Sequence, residues 1–274
     1  MTIGIPDTLT TDNSEKYIMS IRLRPDGLSF SAYNPAEGQS FFFRDVAFDR
    51  SMPYAVALKE LFFANECLTL TYRRTYILCV SPQYTLAPDA VFRDNRRDQF
   101  LSFNFSSPEK RCIVNSLKEE GAKLLFGIDE DIYEFCSRST TNPIFTHHLT
   151  PALTMLRHQT REESTNRMHA IVHRKMVDII RFEGSRLLFV NSFEFTETND
   201  LLYYILYAWK QTDMNQLDDA LLLSGDAVTC AKVSELLQTY IRHIGRLDIP
   251  AKAFLLGGEI LKAPVDLMLL MSCE

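Results

Sequence analysis

The sequence predicts an α/β protein in which one plan is written twice: three strands, a helix, a strand, and then a further helix and strand. Three observations carry this. Short apolar runs alternate with Pro-, Gly- and Asp-containing turns, stretches with 3.6-residue spacing follow them, and the same order of elements returns about 145 residues further on. The expected domains are residues 14–150 and 151–274, each long enough to bury its own core.

The opening residues, rich in Thr, Asp, Asn and Ser, read as a loose terminus, with order beginning near Lys16. Ile18 to Leu23 and Leu28 to Tyr33 are predicted strands around the turn Arg24-Pro25-Asp26-Gly27, where Pro and Asp suit the centre and Gly the close. A second turn, residues 34–38, leads to a Phe-rich strand, Ser40 to Phe48. Ser51 is placed to cap a helix with Pro53 in its first turn, on which Ala55, Leu58, Leu61 and Phe62 recur at helical spacing. Leu70 to Val80 reads as a strand, Pro88 to Arg97 as a polar connection or short helix, and Gln99 to Phe105 as a strand. Ile113 to Gly121 is predicted helical and Lys123 to Gly127 extended, before a connection through Thr150-Pro151 into Ala152 to Arg157.

In the second half, Ala170 to Arg174, Met176 to Phe182 and Arg186 to Phe195 repeat the three strands. A helix from Glu197 to Gln211 follows, begun by Thr196 or Thr198 with acids where the helix dipole favours them. Asp219 to Leu223 is a short strand ending at Ser224-Gly225-Asp226. Val228, Val233, Leu236, Leu237, Tyr240, Ile241 and Ile244 then mark a helix stopped by Gly245, and Ala251 to Leu256 closes as a strand.

The 274 residues carry 29 Lys and Arg against 35 Asp and Glu, a net charge of -6, which opposes generic DNA binding through the phosphate backbone. The longest apolar stretch, Leu201 to Trp209, is too short to enter and cross a bilayer, so no membrane insertion is expected. The N-terminal residues lack a basic start and apolar core, giving a cytoplasmic expectation. Six cysteines without any C-x-x-C pair match neither a zinc site nor a secreted disulfide framework and read as reduced thiols.

YIMSIRLRPDGLSFSAYNP (Tyr17 to Pro35) and RLLFVNSFEFTETNDLLYYILYAWKQ (Arg186 to Gln211) resemble the strands and helix of an uncharacterised domain-of-unknown-function family with the actin-like ATPase fold. The resemblance runs over nearly the whole chain. The fold class it implies is a pair of ribonuclease H-like βββαβαβα domains, and the second half is similar to actin-like proteins of pilus and type II secretion assembly. In active members of that superfamily two hairpins each carry an Asp and a Gly near their first strand, positioning Mg²⁺ and phosphates, and a glycine turn holds adenosine. Here the first hairpin offers Arg22 and Arg24 where an acid and a glycine are expected, with Asp26 and Gly27 in the turn. The second offers His173, Arg174 and Lys175, and no acid until Asp178. The glycine turn is matched by Ser224, Gly225 and Asp226, with Asp226 in place of a second glycine.

The resemblance therefore implies a binding or scaffold protein without ATPase activity, with no cofactor and with a protein partner. A phosphate or nucleotide ligand is the candidate for the interdomain cleft of the parent fold. The alternative is a nucleotide-binding ATPase or kinase-like enzyme using ATP and Mg²⁺ through Asp26, Asp178 and Gly225; a ribonuclease H-like nuclease would need a carboxylate cluster that the hairpins lack.

P-loop, dinucleotide, zincin and nucleophile-elbow motifs are absent from the sequence. His169 and His173 are four apart without an evident third metal ligand, and His147-His148 reads as part of a solvated polar loop. Asp129, Glu130 and Asp131 read as a helix cap or a solvated face. Phe41-Phe42-Phe43 and the helix with Tyr203, Tyr204, Tyr207 and Trp209 belong either to the core or to a partner-facing surface.

Overall fold

The computed structural model describes residues 4–6, 9–49, 51–160, 166–248 and 251–272. The chain divides into two compact units, Met1–Thr150 with Pro250–Ala263, and Pro151–Ile249 with Pro264–Glu274.

The first unit begins with β1 (Ile18–Arg24), β2 (Gly27–Tyr33) and β3 (Phe42–Ala47), followed by α1 (Tyr54–Ala64), β4 (Arg74–Cys79), β5 (Tyr84–Pro88) and α2 (Arg97–Asn104). It continues with β6 (Arg111–Leu117), β7 (Ala122–Ile128), α3 (Glu130–Ser139) and β8 (Ile144–His147). Its main sheet has the order β3-β2-β1-β4-β8, antiparallel across the first three strands and parallel across the last. The expected meander is present. β1 and β2 are buried at every position, so both faces of these two strands are covered.

A second, three-stranded sheet, β5-β7-β6, lies in sequence between β4 and β8 and buries Ala87, Leu101, Cys112 and Leu125 with α2 packed on it. Two expectations fail here. Gln99 to Asn104 is helical and Phe105 is the extended residue that ends the helix; Leu101 is buried, and Phe100 and Phe105 pack on the same cluster. Ile113 to Gly121 is not a helix but mostly β6 and a 3-10 turn. Its β-branched Ile113 and Val114 pair with Phe126 and Leu125, so the tertiary ladder overrides the apolar spacing.

From α4 (Leu149–Thr160), which leads into the second unit, come β9 (Arg167–Val172), β10 (Met176–Glu183), β11 (Arg186–Glu194), α5 (Thr198–Gln211), β12 (Ala220–Gly225), α6 (Ala227–Leu237) and β13 (His243–Arg246). The sheet order is β11-β10-β9-β12-β13, with the same pattern of antiparallel and parallel pairing as in the first unit. Met168, Ala170, Val177 and Ile179 on one sheet face pack with Leu201, Ile205, Trp209, Val233 and Leu237 of α5 and α6.

Capping differs from expectation. The N-cap of α1 is Pro53 rather than Ser51, and that of α5 is Glu197, with Asp200 accepting the backbone N–H of both Thr196 and Glu197. The helix predicted to run to Gly245 ends at Leu237: Ile244 and Gly245 belong to β13, pairing with Leu221 and Leu222.

The expected closing strand, Ala251 to Leu256, is instead α7 (Ala251–Phe254) and a turn at Leu255 and Leu256, in a segment that belongs to the first unit. Gln39 and Phe41 donate their backbone N–H groups to Leu255 and Leu256, at 3.1 and 3.2 Å. The last helix, α8 (Val265–Ser272), returns to the second unit with Leu267 to Leu270 buried. Among the described residues no helix is long and apolar enough to cross a membrane.

Of the clustered aromatics, Phe41 and Phe42 are buried, as are Leu201, Ile205, Ala208 and Trp209 of α5, whereas Tyr203 and Tyr207 are exposed and stacked on each other. Cys67, Cys79, Cys112 and Cys136 are buried free thiols and Cys230 is a half-buried one; Cys273 lies outside the described residues.

Candidate functional site

The first hairpin is tight, with Arg24 and Gly27 as its last pair. Gly27 has φ +149°, and a Cβ there would meet the Val46 carbonyl oxygen of β3 at 2.1 Å, so the glycine serves the close passage of β2 past β3. Along β1 the side chains of Ser20, Arg22 and Arg24 alternate with Met19, Ile21 and Leu23, giving one polar and one apolar face. Arg22 and Arg24 are both buried.

Arg24 is fully engaged in its own neighbourhood. Its Nε donates to Asp26 at 2.7 Å, its two terminal nitrogens form a bidentate pair with Asp45 of β3, and Nη2 also donates to the Val46 carbonyl. Asp26 thus neutralises a buried cation across its own turn. Sequence reasoning missed Asp45, and the available signal was register: Asp45 lies opposite Ser29, the residue opposite Arg22.

The second hairpin is closed by the His173 amide donating to the Met176 carbonyl at 2.7 Å. Arg174 and Lys175 form its exposed tip, with Lys175 Nζ 3.5 Å from the Thr196 carbonyl. Asp178 is fully buried in β10, held by His173 Nε2 at 2.7 Å and by the Ser192 hydroxyl at 2.5 Å. The hairpin therefore does carry an acid, reached by a histidine that the sequence put in the basic triplet. Ser192 was not anticipated; it is the cross-strand partner of Asp178.

In the third element, Gly225 has φ +103°, and a Cβ there would sit 1.9 Å from the Val172 carbonyl oxygen, so any side chain would collide with β9. The Asp226 amide donates to that same carbonyl at 2.8 Å. Its carboxylate caps α6, accepting from the Thr229 amide at 2.9 Å and hydroxyl at 2.6 Å. These hydrogen bonds favour the ionised form and hold Asp226 below the usual carboxylate range. Ser224 accepts a contact from Cys230 through its carbonyl, so the whole turn is tied into the strand-to-helix junction.

The other candidates fall into structural places. Asp129 caps α3 by accepting from the Ile132 amide, and Glu130 pairs with Arg111. His147 and His148 are buried, not solvated: His147 Nε2 lies 3.0 Å from the Ser81 carbonyl, its amide donates to Asn115 at 2.7 Å, and His148 Nδ1 lies 3.3 Å from the Cys79 carbonyl. His169 is buried in β9 with neither ring nitrogen hydrogen-bonded, and burial lowers its pKa to about 4. Chemically, the hairpins offer cations and a His–Asp pair of which Asp178 is buried and His173 half-buried, while Asp26, Asp178 and Asp226 each have a hydrogen-bonded structural role.

No curated protein matches the chain significantly by sequence. The crystal structure of a Bacteroides thetaiotaomicron protein with actin-like ATPase fold and unknown function is 30% identical, covering 99% of this chain and 100% of that one with a TM-score of 0.83. The PilM–PilN type IV pilus biogenesis complex is similar over 93% of this chain and 94% of that one at a TM-score of 0.52, and its 9% identity speaks for the fold alone. The profile of the family described as "protein of unknown function (DUF3822)" matches residues 6–244. With the strand order of both sheets, these likenesses make the chain a member of the DUF3822 family of proteins of unknown function, with the actin-like ATPase fold.

Proposed function

We propose that this chain is a cytoplasmic binding or scaffold protein that acts through a protein partner and does not hydrolyse ATP. The observation that carries the reading is the commitment of Arg24. A buried cation occupies the strand end where ATPases of this fold are expected to present an acid, and Asp26 and Asp45 neutralise it. A carboxylate so paired is poorly suited to bind Mg²⁺, because recruiting it to a metal would strand the guanidinium.

Asp226 adds to this. Its carboxylate is spent on the cap of α6 at the place where a second glycine would let a base approach the backbone. The free thiols among the described residues suit a reducing compartment. PilM, found in complex with PilN, is a precedent for this fold in a protein assembly. The shared strand order of the two sheets supports descent of both halves from one ancestral unit. The exposed cations Arg174 and Lys175 supply a candidate contact for phosphate or an acidic peptide.

The second reading, a nucleotide-binding ATPase or kinase-like enzyme, is favoured by one observation: Gly225 keeps the positive-φ backbone of a strand-glycine-helix turn. Isothermal titration with ATP and Mg²⁺ beside a phosphate-release assay separates the two. No turnover is expected; magnesium-dependent phosphate release that disappears in Asp178→Asn or Asp26→Ala would reject the proposal in favour of the enzyme.

A further inference from the structure

Two buried arginines are treated in opposite ways. Arg24, in the first hairpin, has Asp26 and Asp45 to neutralise it. Arg181 of β10 is 6% exposed, yet among the described residues it has neither a hydrogen bond nor an ion pair, and its Nε is sealed from solvent without an acceptor. A guanidinium withdrawn from water without a counter-charge is costly, so its surroundings bear on what would neutralise it.

Alternation along β10 puts Arg181 on the same face as Val177 and Ile179, the face that packs with α5 and α6. Its cross-strand neighbours on that face are Met168 of β9, fully buried, and Phe189 of β11, half-buried. Both are apolar and supply no acceptor. Asn191 of β11 stands opposite Ile179 on the same face and is exposed, so at this edge of the sheet the face is open to solvent. It lies diagonally from Arg181, a Cα spacing of about 7–8 Å that an arginine's length covers. Asn191 Oδ1 accepts from the Ser192 amide at 2.9 Å, which leaves its Nδ2 donors uncommitted among the described residues.

The geometry points to Arg181, Asn191 and Phe189 as a binding site for a small alkyl monocarboxylate at the edge of the second sheet. The guanidinium fork matches the two oxygens of a carboxylate, and Asn191 Nδ2 donates to one of them. The Phe189 ring and Met168 receive the alkyl group. Charge selects the ligand. Arg181 supplies one positive charge, which a monoanion cancels, whereas a phosphate dianion would carry surplus charge into apolar surroundings.

Thermal unfolding of the full chain tests this, followed by Trp209 in the core of the same unit, in propionate, phosphate and chloride at matched ionic strength. Propionate is expected to raise the midpoint saturably, by about 3–6 °C at tenfold its Kd, and chloride to give no such rise. Arg181→Met keeps the apolar stem and is expected to abolish the rise; Asn191→Ala is expected to weaken propionate binding about tenfold. A parent no more stabilised by propionate than by chloride overturns the inference, as does a rise that survives in Arg181→Met or a larger one in phosphate. Should Arg181→Met misfold, the titration of Asn191→Ala decides: an affinity equal to the parent's overturns the site.

Discussion

Acid should weaken the second unit through one residue, His169. It is 2% exposed in β9, between Ile180 of β10 and Leu222 of β12, and neither Nδ1 nor Nε2 has a hydrogen-bond partner. Burial, with a smaller contribution from Arg167, lowers its pKa from the ordinary 6.5 to about 4. Above pH ~6.5 the imidazole is neutral in both folded and unfolded chains and costs nothing in charge. Between ~6.5 and ~4 the unfolded chain takes up a proton that the folded chain refuses, so stability falls as pH falls; below ~4 the folded form protonates too and the loss levels off. Two and a half pKa units at about 1.4 kcal/mol each amount to roughly 3 kcal/mol.

The chain has one tryptophan, and Trp209 is buried in the core of this same unit, so its fluorescence reports the relevant transition. Urea titrations at several pH values from 7.5 to 4 should show the parent losing about 3 kcal/mol more than His169→Leu, since carboxylates titrate alike in both and cancel. If the variant follows the parent across that window, burial is not what keeps this imidazole neutral and the reasoning fails.

Further substitutions probe the first hairpin and the glycine turn. Gly225→Ala forces a Cβ to within 1.9 Å of the Val172 oxygen at a positive φ and should cost about 3 kcal/mol or more in thermal unfolding, whereas Gly121→Ala, with nothing within 4 Å at φ +59°, should cost only about 1 kcal/mol. Arg24→Met leaves Asp26 and Asp45 facing each other's charge. Because both carboxylates are about a third exposed, the expected loss is about 1–2 kcal/mol rather than the full cost of an uncompensated buried ion, and Arg24→Met with Asp45→Asn should recover part of it; no recovery in a denaturant titration would show the pair to be idle.

What was legible in the sequence was order and turns. Pro25-Asp26-Gly27, Gly184 and the strand-to-helix junction at Gly225 are set by local backbone chemistry, and the structure has turns at all three places. Elements decided by distant partners were not legible. Short apolar runs around Phe100 and Ile113 fit helix and strand equally, and packing against β7 assigned them opposite ways from their local spacing. The same holds for the candidate site. Arg24 and Asp178 stood out by type, but their partners Asp45 and Ser192 sit 21 and 14 residues away and only cross-strand register brings them together. His147 and His148 looked solvated because they adjoin threonines, while carbonyls of Ser81 and Cys79, far upstream, bury them.

The return of residues 250–263 to the first unit has a consequence for biosynthesis. A polypeptide emerges from the ribosome N-terminus first, so the flank of β3 stays uncovered until every strand of the second unit has been made. A premature stop just after residue 249 would strip a distant sheet of its cover while leaving intact every strand of that sheet.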